Sequence, residues 1–221
     1  MEEVSQGERI ENIKSLMRKK DGIEWRDYSI RTHRDRFFYP DEWGKFFQVL
    51  NKRQKLTFRF LINTGSRINE ARNVRVEDID IERKRMILRI TKVKSKKGEK
   101  HPRPRTIPIS TQFAKYLKAY IKEKELTNPD YLPILSTPAA NIGMKLALQR
   151  VRIKDWYMFS VHNVRKTLET WLMALNIDGL KITSHIGHSM AVAAKNYISA
   201  DVFSWDEKKQ IRIIIGDLYE R

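Results

Sequence analysis

Three of the five histidines, His162, His185 and His188, fall within 27 residues, in the stretch HNVRKTLETWLMALNIDGLKITSHIGHSMAVAAKNYIS. His162 and Arg165 are three apart, so a helix would project both from one face and set a hydrogen-bonding imidazole beside a planar cation, a pairing suited to phosphate. Tyr197, one of eight tyrosines, lies nine residues past His188. Each residue has a plainer alternative. A lone helical histidine more often packs or faces solvent, and a tyrosine between Asn196 and Ile198 more often lies on an amphipathic core face with its hydroxyl at the rim. His185 and His188 would also suit zinc as a His-x-x-His pair, but Glu169, Asp178 and Asp201 have no spacing that completes such a site. There is no cysteine, which excludes disulfides, thiolate metal ligands and thiol nucleophiles. No cofactor and no metal are expected.

The charge points to the partner. Lys and Arg number 44 against 27 Asp and Glu, a net charge of +17, so the chain repels itself unless it meets a polyanion such as nucleic acid. Between Arg83 and Arg105 eleven Lys or Arg stand against one acid, Glu99, so this stretch alone carries +10. The N-terminus is acidic and then amphipathic, the wrong order for a secretory signal, and no run approaches the roughly 18 apolar residues of a membrane span. An intracellular protein is expected, with no membrane partner.

The 221 residues, with 41% hydrophobic content, suffice for one full domain and a small appendage. Ile10, Ile13, Leu16 and Met17 keep a helical period that charged and aromatic residues then break, so residues 1 to 37 read as a helix plus linker ahead of a domain at 38 to 221. Asp41 is a candidate cap for a helix carrying Trp43, Phe46, Phe47 and Leu50, and Leu56, Phe60 and Leu61 mark a second. After Gly65, a short helix is expected over Arg67 to Val74. Met86, Leu88 and Ile90 then alternate at the strand period, KKGE at 96 to 99 supplies a turn, and RTIPIS returns, giving a hairpin with a cationic tip. Helices are expected around Phe113 to Ile121 and at about 139–151, 162–176, 179–186 and 190–199. A C-terminal helix from Asp206 to Leu218 would carry Ile211, Ile214, Ile215 and Leu218 on one stripe. The fold class is therefore α+β, mostly helical, with a small antiparallel hairpin or sheet.

The pieces also come in a recognisable order. TGSRINEARNVRVEDIDIE resembles the first arginine box of the tyrosine recombinases, TGLRxSELxxLxWxDID. HNVRKTLETWLMALNID resembles their HxLRHTxAT box, and HIGHSMAVAAKNYIS resembles LGHSxxxTTxxYTH with its nine-residue step from histidine to tyrosine. The resemblance covers about residues 38 to 200 and implies the catalytic-domain fold of that family. Carried over position by position, it places the active site on Arg67, a hairpin lysine, His162, Arg165, His188 and Tyr197. Laying the family's I-x-I-x-x-x-K-T-K pattern on Leu88 to Lys96 selects Lys94, with Lys92 and Lys96 as alternatives. Lys166 stands where many members have a second histidine, and Ala193 and Ala194 replace a common Thr-Thr pair. Members usually carry about a hundred residues of core-binding domain ahead of the catalytic one. Only the 37 residues noted above precede it here, as in a minimal recombinase or a fragment.

What the resemblance implies is chemically coherent. Resealing DNA without an energy cofactor requires the phosphodiester energy to be kept in a covalent bond, which a tyrosine attacking phosphorus achieves by transesterification. Arg67 and Arg165 would neutralise the non-bridging oxygens, as metals do in other phosphoryl-transfer enzymes. A tyrosine pKa near 10 calls for a base, His162, while His188 would donate to the phosphate and Lys94 would protonate the leaving 5′-oxygen. Glu70 reads as a brace for Arg67. Arg72, Arg75, Lys92, Lys96, Lys97, Lys100, Arg103, Arg105 and Lys166 would touch the DNA backbone without reading bases. Partners implied are double-stranded DNA and, on synapsed sites, a homotetramer of chains that are monomers when free; the C-terminal stripe would dock on its own domain or, as is common in the family, on a neighbouring protomer. The rivals are a type IB topoisomerase-like nicking-closing enzyme and a truncated DNA-binding regulator that does not cut.

Overall fold

The computed structural model describes residues 36–89, 104–187 and 202–220, together with the backbone of β1 (Lys19–Lys20) and β2 (Ile23–Glu24). These two strands pair antiparallel, Lys19 opposite Glu24, inside the segment expected to be linker. The helix expected around Ile13 lies outside the described residues. The domain then runs α1 (Pro40–Gln48), α2 (Lys52–Thr64), α3 (Ile68–Ala71), β3 (Ile79–Asp80), β4 (Arg85–Leu88), β5 (Arg105–Pro108), α4 (Thr111–Glu123), α5 (Thr137–Arg150), α6 (Val161–Ala174), α7 (Gly179–Ile186) and α8 (Trp205–Ile215). Among the described residues no helix is long and apolar enough to cross a membrane.

Local chemistry sets the boundaries. α1 begins one residue before Asp41, because Pro40 has no N–H to satisfy at the first position and Glu42 turns back to accept from the Tyr39 N–H at 2.9 Å. At the start of α2, Asn51 Oδ1 accepts from the Gln54 N–H at 2.9 Å while Gln54 Oε1 accepts from the Asn51 N–H at 3.0 Å, satisfying two orphan donors reciprocally. α2 ends at Gly65, whose φ of +56° is left-handed. A Cβ there would lie 2.4 Å from Ile186 Cδ1, so the buried Ile186 side chain would have to shift. The expected short helix closes at Ala71, earlier than Val74, and the chain leaves it through the Leu132 N–H to Val74 carbonyl bond and a bridge between Arg75 and Tyr131.

The sheet order is β3-β4-β5, all antiparallel, with Met86 opposite Ile107 and Leu88 opposite Arg105. Met86, Leu88 and Ile107 are fully buried, so Arg105, in register with Leu88, belongs to the inward face of the sheet. α6 is the central element: it contacts α2, α5, α7 and α8, and every residue from Asn163 to Leu172 is buried. A helix buried on all sides is what a polar sequence such as HNVRKTLET conceals.

Residues 36 to 38 are stitched onto α6 and belong to the core. Asn163 Nδ2 donates to the Arg36 carbonyl at 2.7 Å, Thr167 Oγ1 accepts from the Phe38 N–H at 2.9 Å, and Trp171 Nε1 donates to the Phe38 carbonyl at 3.0 Å. Arg36 itself is buried over the Phe159 ring, with Nε 2.5 Å from Asp155 Oδ2, Nη2 2.6 Å from Glu42 Oε1 and Nη1 bonded to the Phe37 carbonyl. Arg36→Ala would leave the buried Asp155 carboxylate without its cation, and should cost about 3–5 kcal/mol of stability. A urea midpoint unchanged by the substitution would contradict this.

The C-terminal stripe docks on its own domain. Ile211, Ile215 and Leu218 are buried, α8 packs on α1 and α6, Ile214 is half-buried, and the Asp217 carboxylate accepts from the Thr111 N–H at 2.6 Å and from Thr111 Oγ1. The helix stops at Ile215 with Gly216 as its cap, three residues short of the expected Leu218, and only the chain beyond it carries Leu218 into the core. Ending the chain after Ala200 would therefore strip the core of Phe203, Ile211, Ile215 and Leu218, a larger defect than a lost subunit contact.

Candidate active site

Arg67 is the N-cap of α3, two residues past the left-handed Gly65. The buried Glu70, 1% exposed, does two jobs. Its Oε2 accepts from the Arg67 backbone N–H at 3.0 Å and its Oε1 accepts from Arg67 Nη1 at 2.8 Å, so it caps the helix and holds the guanidinium together. The brace expected of Glu70 is present. Arg67 remains 51% exposed, open to a ligand.

Arg165 comes from α6 and is 5% exposed. Its Nη1 donates to the Gly65 carbonyl at 2.7 Å, so the glycine that terminates α2 also anchors the second arginine. Burial, then the like charges of Arg67 and Arg105, lower the Arg165 pKa to about 10, against the pull of Glu70 and Glu169. The two arginine boxes thus meet in space, and three guanidiniums share the neighbourhood of two buried carboxylates. Such an excess of planar cations is suited to an anion with several oxygens. His162 stands exposed in the first turn of α6, one turn before Arg165.

Several expected DNA contacts are placed differently. Lys166 is 7% exposed, inside the domain, because α6 has no solvent face at that position. Arg105 has a side chain only 13% exposed. Its Nη2 donates to Glu70 Oε2 at 2.9 Å and its Nε to the His185 carbonyl at 3.2 Å, so it is not a free surface cation. The period-two pattern through Ile107 and Ile109 would have found it. Arg72 is exposed, and Arg75 is half-exposed and held by Glu77 and the Tyr131 hydroxyl. Lys92, Lys94, Lys96, Lys97, Lys100, Arg103, His188 and Tyr197, and the helix expected at 190–199, lie outside the described residues.

His185 is buried, and its Nδ1 lies 3.0 Å from the Tyr219 hydroxyl. Burial, then Arg105, depresses its pKa to about 3, so it stays neutral. Burial pushes the Tyr219 phenol up to about 12, which makes that residue a poor nucleophile.

A model of the "Phage integrase family" matches residues 36–202. Among known relatives, the tyrosine recombinase XerC of Staphylococcus epidermidis is 31% identical over 165 residues, covering 69% of this chain and 53% of that protein. The tyrosine recombinase XerA of Thermococcus onnurineus is 24% identical over 181 residues, covering 77% of this chain and 59% of that one. The chain thus spans little more than half the length of these relatives. The fold is similar to a crystal structure of XerA recombinase, with a TM-score of 0.60 at 15% identity over 80% of this chain and 64% of that one. It is also similar to the Tn1549 transposon integrase in complex with transposon right end DNA, with a TM-score of 0.56 at 16% identity over 94% and 75% of the two chains. With three boxes in order along the sequence, their arginines joined in space and the family match running from Arg36 to Val202, the chain belongs to the phage integrase family of tyrosine recombinases.

Proposed function

We propose that the chain cleaves and rejoins DNA strands through a 3′-phosphotyrosyl bond on Tyr197, without a metal. The Tyr197 oxygen attacks phosphorus and the 5′-oxygen leaves, so one ester replaces another and a later attack by a 5′-hydroxyl reverses the step. His162 takes the phenol proton, Lys94 protonates the departing oxygen, and Arg67, Arg165 and His188 stabilise the charge on the non-bridging oxygens. The observation that carries this reading is the meeting of Arg165, anchored on the Gly65 carbonyl, with Arg67, braced by Glu70. The Tn1549 integrase in complex with transposon DNA, similar in fold, supports duplex DNA as partner. Free chains are monomers and assemble as tetramers on paired sites.

The site can be found and the activity tested together. Adducts captured from a randomised, nicked duplex library give the target sequence, and two copies of it on one plasmid should yield recombinant circles. Relaxation without recombinants would favour the topoisomerase-like reading, and binding without adducts the regulator. On the same target, replacing Lys96, Lys97 and Lys100 together by Ala should lower the slope of log K against log salt by about 0.9 for each lost phosphate contact. Lys94→Ala should instead slow cleavage more than it weakens binding. Equal behaviour of all four lysines would remove Lys94 from the reaction.

A further inference from the structure

Arg105 sits where three parts of the chain converge. Its Nη2 reaches Glu70 Oε2 at 2.9 Å, on the residue that braces Arg67, and its Nε reaches the His185 carbonyl at 3.2 Å, at the C-terminal end of α7. Its guanidinium also lies against Gly187. A Cβ on that glycine would come within 2.9 Å of both Arg105 Cζ and Nη1, and within 3.0 Å of Nε. Gly187 therefore has two reasons to lack a side chain, its φ of +79° and the cation lying on it. It is also the residue immediately before His188. Arg105 Nη1 is buried and has no hydrogen-bond partner among the described residues.

The geometry follows from the sheet. Arg105 pairs with Leu88 and shares the parity of Ile107, so β5 delivers it inward, beneath α3 and α7, and not outward with Thr106 and Pro108. The Glu70 carboxylate then receives Arg67 on one oxygen and Arg105 on the other, with the Arg67 backbone N–H also on the Arg105 side. A carboxylate clamped from both sides has one orientation, and Arg67 inherits it. Arg105 thereby touches the first arginine box and the His185–Gly187 turn at once.

We propose that Arg105 is a positioning residue of this site, whose fork orients Glu70, and through it Arg67, while fixing the Gly187 turn that leads to His188. It acts through its neighbours and does not serve as a general phosphate contact of the basic finger. A lysine cannot substitute, since a single ammonium lacks the planar fork that spans a carboxylate and a carbonyl while lying flat on a peptide.

The inference rests on the strand-cleavage reading for its kinetic test and stands apart from it in a second measurement. In single-turnover cleavage of a nicked duplex, Arg105→Met should slow adduct formation at least tenfold with DNA affinity within twofold of the unsubstituted chain. In an Arg67→Ala background the same substitution should change the rate less than threefold, because the group it positions is gone. An equal loss in both backgrounds would overturn the proposal, since it is what a direct phosphate contact or a general folding defect gives. Arg105→Lys should recover less than half of the lost rate on a logarithmic scale, and if the Met variant unfolds, the Lys variant carries the same cycle. Slow rotation of the Arg67 guanidinium, read by NMR in the full chain without DNA, should be lost in either variant. Rotation unchanged in both would overturn the proposal. If the unsubstituted chain forms no adduct, the cleavage reading fails by itself, and the NMR measurement still decides the role of Arg105.

Discussion

Tyr197→Phe should abolish covalent attachment to DNA while leaving DNA affinity within about twofold, because the hydroxyl is the attacking atom but only one of many contacts in a complex dominated by phosphate neutralisation. The expected loss is at least the several orders of magnitude that separate nucleophile variants from their parents in covalent catalysis. Tyr219 does not offer a substitute: its oxygen lies 3.0 Å from His185 Nδ1 and its phenol is pushed up to about 12 by burial. A gel-shifted, denaturation-resistant adduct persisting in Tyr197→Phe would move the nucleophile elsewhere.

Arg67→Ala and Arg165→Met should each slow cleavage at least about a hundredfold, the scale set by loss of one preorganised oxyanion donor. Their effects on stability should differ. Arg67 is half exposed, and its removal leaves Glu70 still paired with Arg105 at 2.9 Å, so the unfolding midpoint should hardly move. Arg165 is buried beside two like charges that, with burial, hold its pKa well below that of a free arginine. A lowered pKa in a cation means that the folded state disfavours its charged form. An apolar side chain of similar length therefore removes an electrostatic cost at neutral pH, offset by the lost bond to the Gly65 carbonyl. Arg165→Met should accordingly be inactive and no less stable than the parent, the pattern of a site that trades stability for function. Cleavage rates and thermal midpoints measured side by side check this. An inactive Arg165→Met with a sharply lowered midpoint would mean that the arginine serves the fold first.

Much of this was legible in the sequence because the relevant signals are local. α7 at Gly179–Ile186 coincides with the expected helix at 179–186, bounded by Asp178 as cap and Gly187 as stop. The pairing of Met86 with Ile107 follows from two alternating strands joined through a turn. What was not legible depends on partners distant in the chain. Arg105, from its place in the charge block, and Lys166, from its place in the second arginine box, read as DNA-backbone contacts, yet strand parity turns one inward and the central place of α6 buries the other. Arg36 reads as linker because nothing nearby shows that Asp155 and Asn163, more than a hundred residues on, wait for it. The stripe Ile211, Ile215 and Leu218 announces burial without naming its groove, and the helix proves to dock on the same domain, on α1 and α6. The Arg67 brace is legible in the sequence, since Glu70 lies three residues on and on the same helical face, and a partly buried arginine generally has a partner.

Metal-free transesterification on Tyr197 leaves a chemical signature that can be read directly. The chain is incubated in EDTA with its captured target as a nicked duplex that loses the short fragment on cleavage, and the trapped adduct is digested and read by mass spectrometry. The expected product is a Tyr197 peptide carrying the 3′-phosphate of the retained strand, formed at the same rate with and without chelator. An adduct through a 5′-phosphate, an adduct on any other residue, or cleavage that stops when metal is withdrawn would contradict it.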